Sequence, residues 1–368
     1  MKKIVYLVLI SLILSCVGLA IFNPGFFAYA QEEEEVYLIL NEDSIYINSS
    51  YDVQVGDMFI AEDNVLYEIF EVCDESLTAY ARPKKTVQLP EVEQNPNEII
   101  PISSYEKRIA MYHTHNDESY VIGDGYDSIY GEGGVVDIGD AFASELKKHN
   151  IKVYKDDTLH LPHDSKAYVR SKLTAQNLIN SVEPDAIFDI HRDGVSRKQF
   201  LGEINGKEGS KIRIVIGKSN PNNAVNLELA MAIKAYADAK YPGLIKDIYI
   251  GSGNYNQNLS KNALLFEMGT YLIEKDYVMS SLPYLADTID KVMYTTAVEM
   301  PSEENYGESI LEEDSNSSVK LESSASKGVN DTTKWVMVGV FISIIVGSGI
   351  ILVVRSLKIL KKKRKKKT

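Results

Sequence analysis

Between residues 108 and 298 the chain alternates short apolar runs with segments of helical period, and this alternation limits the fold more than any other feature. Strand-like runs occupy 108–113, 151–154, 186–190, 212–216 and 263–266. Between and after them lie 135–148, with apolar residues at Val135, Ile138, Phe142 and Leu146, then 165–182, 224–241 and 278–298. Apolar positions three and four apart mark one face of a helix, and short runs bounded by turn residues mark strands. The pattern predicts an α/β fold with a mostly parallel sheet and flanking helices. Upstream, runs at 36–40, 58–60, 66–70 and 77–80 predict a small β-rich module over residues 31–82. Pro83, Pro90, Pro96 and Pro101 then predict a linker, 83–104, before a catalytic domain at 105–300.

Both ends carry membrane signals. Lys2 and Lys3 precede an apolar stretch, and Ala28 and Ala30 flank Tyr29 ahead of an acidic run, which reads as a signal peptide over residues 1–30. An uncleaved anchor is the alternative, and Cys16 admits a lipoprotein reading that its neighbours fit poorly. Residues 335–354 are uncharged, mostly apolar and long enough to span a bilayer as a transmembrane helix. Arg355, Lys358 and the basic run 361–367 place the tail, 355–368, in the cytoplasm. Residues 301–334 are rich in serine, glutamate, asparagine and aspartate and predict a disordered acidic stalk. The expectation is a single-pass cell-membrane protein whose catalytic domain lies outside.

Charge narrows the partners. Of 39 basic and 52 acidic residues, Lys2, Lys3 and the nine basic residues from Arg355 onward lie in the end segments. Residues 31–334 therefore hold 28 basic against 52 acidic groups, a net of −24, which excludes the basic face that nucleic acid requires. Outside the signal Cys73 stands alone, so there is no intrachain disulfide and no thiolate cluster for a metal.

Six histidines can be weighed singly. His149 ends a polar helix and reads as solvent-facing, and His160 and His163 read as surface-loop residues. His113 and His115 lie where the 108–113 strand runs out, His191 stands just past 186–190, and Glu267 just past 263–266. Ligand crevices in open α/β sheets lie beyond the carboxyl ends of the strands. Two histidines and a carboxylate suit a catalytic Zn2+, which keeps one position open, and a separate carboxylate must take the proton from water. Glu267 is placed for that task, and the third ligand is Glu118 or Glu132. A histidine that only hydrogen-bonds a loop and a glutamate that only caps a turn would give the same pattern.

Four segments sharpen the choice: Tyr-His-Thr-His-Asn-Asp-Glu-Ser-Tyr at 112–120, Val-Val-Asp-Ile-Gly-Asp-Ala-Phe-Ala-Ser-Glu-Leu at 135–146, Phe-Asp-Ile-His-Arg-Asp at 188–193 and Leu-Leu-Phe-Glu-Met-Gly at 264–269. In that order they resemble the stage II sporulation protein P family, cell-wall amidases of the zinc-dependent N-acetylmuramoyl-L-alanine type. The resemblance implies hydrolysis of the amide between N-acetylmuramic acid and L-alanine of peptidoglycan, and cross-link endopeptidase activity as well. It makes His115 and His191 zinc ligands and Glu267 the catalytic acid/base, with His113 beside them as the alternative to His115. Glu118, inside a matching segment, is taken as the third ligand, with Glu132 as the alternative. Arg192 is expected to bind a stem-peptide carboxylate or else to pair within its loop, and Asn254, with Tyr255 and Asn256, to line the substrate groove. Asp189 or Asp193 is expected to orient a ligand histidine. Peptidoglycan and the stage II sporulation proteins D and M are the implied partners. The C-terminal anchor and the β-rich module depart from the family pattern and leave a role in sporulation open. A zinc endopeptidase with another scissile bond, and a non-enzymatic wall-binding scaffold, are the rival readings.

Overall fold

The computed structural model describes residues 37–41, 44–49, 52–92, 106–295, 298–299 and 306–312. The expected signal peptide, transmembrane helix and basic tail, and most of the expected stalk, lie outside the described residues. Among the described residues no helix is long and apolar enough to cross a membrane.

The N-terminal part supplies β1 (Tyr37–Asn41), β2 (Ser44–Ser49), β3 (Met58–Ile60), β4 (Val65–Cys73), β5 (Thr78–Thr86) and β6 (Glu91–Val92). Then come β7 (Arg108–Tyr112), α1 (Val121–Asp124), α2 (Gly134–Lys148), β8 (Lys152–Asp156), α3 (Ala167–Val182) and β9 (Ala186–Asp193). A hairpin of β10 (Leu201–Ile204) and β11 (Lys207–Ser210) leads to β12 (Ile212–Gly217), α4 (Asn223–Lys240), β13 (Ile245–Gly251) and β14 (Ala263–Thr270). The described chain closes with α5 (Lys275–Tyr294), β15 (Val298–Glu299) and α6 (Tyr306–Leu311).

Eleven strands form one mixed sheet in the order β2-β1-β5-β4-β3-β13-β12-β14-β9-β7-β8. The expected α/β fold is present. Within its last six strands all neighbours are parallel except β12 and β14, which run antiparallel. Strands β9, β12, β13 and β14 are buried along their whole length, as strands covered on both faces must be. On one face α2, α4 and α5 pack over a core that includes Phe142, Phe188 and Phe266, whose rings lie 5.1–6.5 Å apart. Each of these buried rings contributes about 1.5–3 kcal/mol relative to an exposed one. On the other face α3 sets Ala175 and Leu178 against Ala110, Tyr112, Ile187 and Ala263.

Three expectations about organisation need correcting. The β-rich segment does not stand apart as a module, because β3 pairs with β13 and the described residues up to Glu312 form one compact unit. Met58, Phe59 and Ile60 are wholly buried against Ile248, Tyr249 and Ile250, so separating the two parts would expose two apolar sheet edges. The expected linker begins too early, since β5 continues through Pro83 to Thr86 at a register shift opposite Tyr67. Residues 306–311 of the expected stalk are helical. Tyr306 and Ile310 bury their side chains in the main core, and Gly307 N donates to Glu228 Oε1 at 2.9 Å.

Candidate metal centre

The order β14-β9-β7 sets three carboxyl strand ends side by side, and His115, His191 and Glu267 come from those ends. Side chains alternate along a strand, so parity decides which of them share a face. Asp189 is opposite Tyr112, and His191 is opposite Glu267, so these groups stand on the α3 face. His113 takes the other parity. It is wholly buried under α2, with Nδ1 2.9 Å from the Ile190 carbonyl oxygen. A Cβ on Gly139 of α2 would fall 2.6 Å from His113 Nε2, so the helix approaches the ring only because that residue is glycine. His113 is therefore a packed core histidine, not a stand-in for His115.

The turn after β7 carries Glu118 into the middle of the cluster. Its backbone is pinned on the N-terminus of α2. Val135 N donates to the Glu118 carbonyl at 3.0 Å, Gly133 N to that of Asn116 at 2.7 Å, and Gly134 N to Ser119 Oγ at 2.7 Å. A Cβ at Gly133 would lie 2.1 Å from the Glu118 carbonyl oxygen, so no other residue fits there without displacing the turn. The Glu118 side chain is 4% exposed. Its Oε1 lies 3.2 Å from His115 Nδ1 and 3.3 Å from His191 Nδ1, and its Oε2 accepts the Arg192 backbone N–H at 3.0 Å. Glu132 is exposed, in the segment just before α2.

These spacings fit a metal. With bonds of 2.0–2.1 Å, two ligand atoms of one tetrahedral zinc stand about 3.3 Å apart, and the centroids of two bound imidazoles about 5 Å apart. The rings of His115 and His191 are 5.1 Å apart and nearly perpendicular. Nδ1 of both rings lies against Glu118 Oε1, so it is the same nitrogen of each histidine that would carry the metal. His191 Nε2 lies 3.0 Å from Asp189 Oδ1, and Asp189 in turn accepts Thr114 N at 2.8 Å and Thr114 Oγ1 at 2.6 Å. A carboxylate on the far nitrogen is the usual means of orienting a ligating imidazole. Asp193, the other candidate for that task, instead pairs with Arg213 at 2.8 Å.

The charges are tuned to one another. Burial disfavours the charged form of His191, but the carboxylates of Asp189 and Glu118 outweigh it and hold the imidazole well above its usual pKa. Burial likewise works against an ionised Glu118, and His191, His115 and Arg192 overcome it, leaving the carboxyl well below its usual range. Burial lowers His115, which keeps a lone pair at neutral pH despite Glu118.

Two expected groove residues are not brought to the cluster. Arg192 follows His191 and so points away from it. Its guanidinium donates to the Asp127 carbonyl at 3.1 Å and lies over the Tyr271 ring, which makes it an internal brace for the 117–128 loop. In the loop after β13, Asn254 engages through its backbone, its carbonyl accepting Gln257 N at 3.0 Å. Asn256 is the member that reaches toward the cluster, donating from Nδ2 to the Tyr168 carbonyl at 2.9 Å and to Ser171 Oγ at 3.0 Å. Tyr168 itself walls the site, its ring 5.5 Å from His115 and 6.3 Å from His191.

Of the two loop histidines, His160 differs from expectation, while His163 is exposed in its loop as expected. His160 is buried, with Nδ1 2.7 Å from the His113 carbonyl and Nε2 2.8 Å from Thr174 Oγ1. His163 stacks on His115, and ligand atoms of His115, Glu118 and His163 lie within 4.8 Å of one another. The polar segment 157–164 has no apolar period to show that it folds back over a strand end. The only trace in the sequence is a pair of histidines three residues apart.

Residues 35–290 match the family model described as Stage II sporulation protein P. Stage II sporulation protein P of Bacillus subtilis (strain 168) is 30% identical over 182 residues, and the match spans 45% of this chain and 45% of that protein. Among solved structures, an N-acetylmuramoyl-L-alanine amidase from Clostridium difficile 630 is similar over 51% of this chain and 95% of its own, at 13% identity and a TM-score of 0.33. The CwlD amidase from Clostridioides difficile in complex with the GerS lipoprotein is similar over 50% and 98%, at 10% identity and a TM-score of 0.34.

Proposed function

We propose that this chain, which belongs to the stage II sporulation protein P family, is a zinc-dependent cell-wall hydrolase that cleaves the amide between N-acetylmuramic acid and L-alanine. The observation that carries the reading is the approach of Glu118 Oε1 to within 3.3 Å of Nδ1 of both His115 and His191, with Glu267 in register beside His191 on the next strand. His115, Glu118 and His191 would hold the metal. Bound there, zinc would polarise the scissile carbonyl and lower the pKa of water to about 7. Asp189 orients the His191 ring. Glu267 accepts a proton from the attacking water on a carboxylate oxygen and returns it to the departing amine nitrogen. Tyr168 shields the reacting bond from bulk solvent. On this reading the catalytic domain is expected outside the membrane, against peptidoglycan, with stage II sporulation proteins D and M as candidate partners.

The test is digestion of purified peptidoglycan by the purified protein with zinc, with products identified by mass spectrometry. The expected products are free stem peptides and glycan carrying an unsubstituted lactyl group, abolished by a chelator. Cleaved cross-links with intact sugar–peptide bonds would replace this reading with an endopeptidase, and wall binding without products would replace it with a scaffold.

Metal binding has its own signature. The carboxylates of Asp189 and Glu118 favour a protonated His191 ring, so zinc competes with a proton at that nitrogen. Calorimetric titration in buffers of different ionisation enthalpy is expected to report release of about one proton per zinc. Zinc uptake with no proton release would show that the His191 ring is already neutral in the metal-free protein.

A further inference from the structure

His163 is oriented in the same way as the ligand histidine on β9. Its Nδ1 lies 3.1 Å from Asp117 Oδ1, and Asp117 Oδ2 accepts Ser128 Oγ at 2.7 Å. Asp189 does the same for His191 from Nε2. In each case a buried carboxylate takes one ring nitrogen, the arrangement found around metal-bound imidazoles, and a ligand atom of His163 lies within 4.8 Å of those of His115 and Glu118. The loop is fixed in place. Arg170 donates from Nε to the His160 carbonyl at 2.6 Å and from Nη2 to Asp164 Oδ1 at 2.6 Å, and His160 N donates to Asn116 Oδ1 at 3.0 Å. Asn116 and Asp117 belong to the same turn as Glu118, so the loop and the ligand turn form one hydrogen-bonded unit.

We propose that His163 is a fourth protein ligand of this centre, filling in the resting protein the coordination position that His115, Glu118 and His191 leave free. The proposal rests on the metal-dependent reading above and deepens it. A hydrolytic zinc keeps one of four positions for water or substrate. With His163 in place all four are protein groups, and the centre is closed until a substrate group displaces the imidazole. The His163 side chain is 28% exposed, against 2% for His191, so it is the ligand that can swing outward. Its ring is stacked 3.8 Å from that of His115 at an interplanar angle of 25°, and lone pairs lie in the ring planes, so binding requires His163 to turn out of this stack until its free edge faces the metal.

The test uses the full-length protein, wild type, His163→Ala and Asp117→Asn, each checked for folding by circular dichroism. Zinc affinity is measured by chelator competition, coordination by the visible spectrum of the cobalt-substituted protein, and access to the metal by binding of acetohydroxamate. The expected result for His163→Ala is a loss of zinc affinity of about tenfold or more, a changed cobalt spectrum and tighter acetohydroxamate binding, with Asp117→Asn intermediate. Unchanged zinc affinity and cobalt spectrum in His163→Ala overturn this proposal alone, even if hydrolysis falls. A wild type that binds neither zinc nor cobalt overturns the metal-dependent reading with it.

Discussion

Glu267→Gln is expected to lower peptidoglycan hydrolysis by about 10²–10⁴-fold while leaving zinc content and folding intact. The side chain is 4% exposed, in β14, and its Cα partners in the sheet are His191 on one side and Arg213 on the other. Glutamine keeps the volume of glutamate, so the packing between Leu265 and the end of the strand survives. The amide cannot accept and return a proton, so an effect on rate with no effect on metal isolates that one role. Glu118→Gln provides the contrast. That carboxylate lies within 3.3 Å of Nδ1 of both His115 and His191, so its loss is expected to remove zinc together with activity. Measuring released lactyl ends and metal content on the same samples separates the two. Full activity in Glu267→Gln would show that another group moves the proton.

The strand ends that carry the site were legible because each is an apolar run broken by a polar residue of metal chemistry. Ala263 to Phe266 ending in Glu267, and Ala186 to Ile190 ending in His191, need no structure to be noticed. The neighbours of these residues were harder. Arg192 is chemically suited to a carboxylate, but alternation turns it to the opposite face, and a linear reading shows composition before it shows direction. His160 and His163 were hidden for a different reason. They lie in a loop whose position depends on Arg170 and Asn116, contacts that no local pattern announces. The sheet held one further omission. Strand β13 has Lys246 and Asp247 in its interior, and two adjacent charges read as a loop. Both are buried, since Asp247 pairs with Arg213 of β12 and with Lys246. The strand exists because the ion network satisfies what the apolar pattern does not.

That network supports the largest stability effect expected here. Arg213 is wholly buried, donates from Nε and Nη2 to Asp247 at 2.7 and 3.1 Å and from Nη1 to Asp193 at 2.8 Å, and lies over the Tyr249 ring. Arg213→Met keeps most of the volume but leaves two buried carboxylates without the guanidinium between them, and is expected to cost about 3–5 kcal/mol in urea unfolding followed by circular dichroism. The remedy distinguishes charge from packing. Replacing Asp193 and Asp247 by leucine and Lys246, which pairs with Asp247, by methionine as well removes the buried charges, and the combined variant is expected to recover much of the loss. A single variant within about 1 kcal/mol of wild type would mean that water or the neighbouring Lys246 screens the pair. Acid gives a second reading of the same contact. Burial alone would raise Asp247, but Arg213 and Lys246 overcome it and hold the carboxyl below its usual range. Its folded pKa therefore lies below the unfolded value of about 3.9, so the stabilisation is present above that pH and is lost as pH falls below it. In Arg213→Met this acid limb is expected to flatten, because most of the native bias toward the ionised carboxylate goes with the guanidinium.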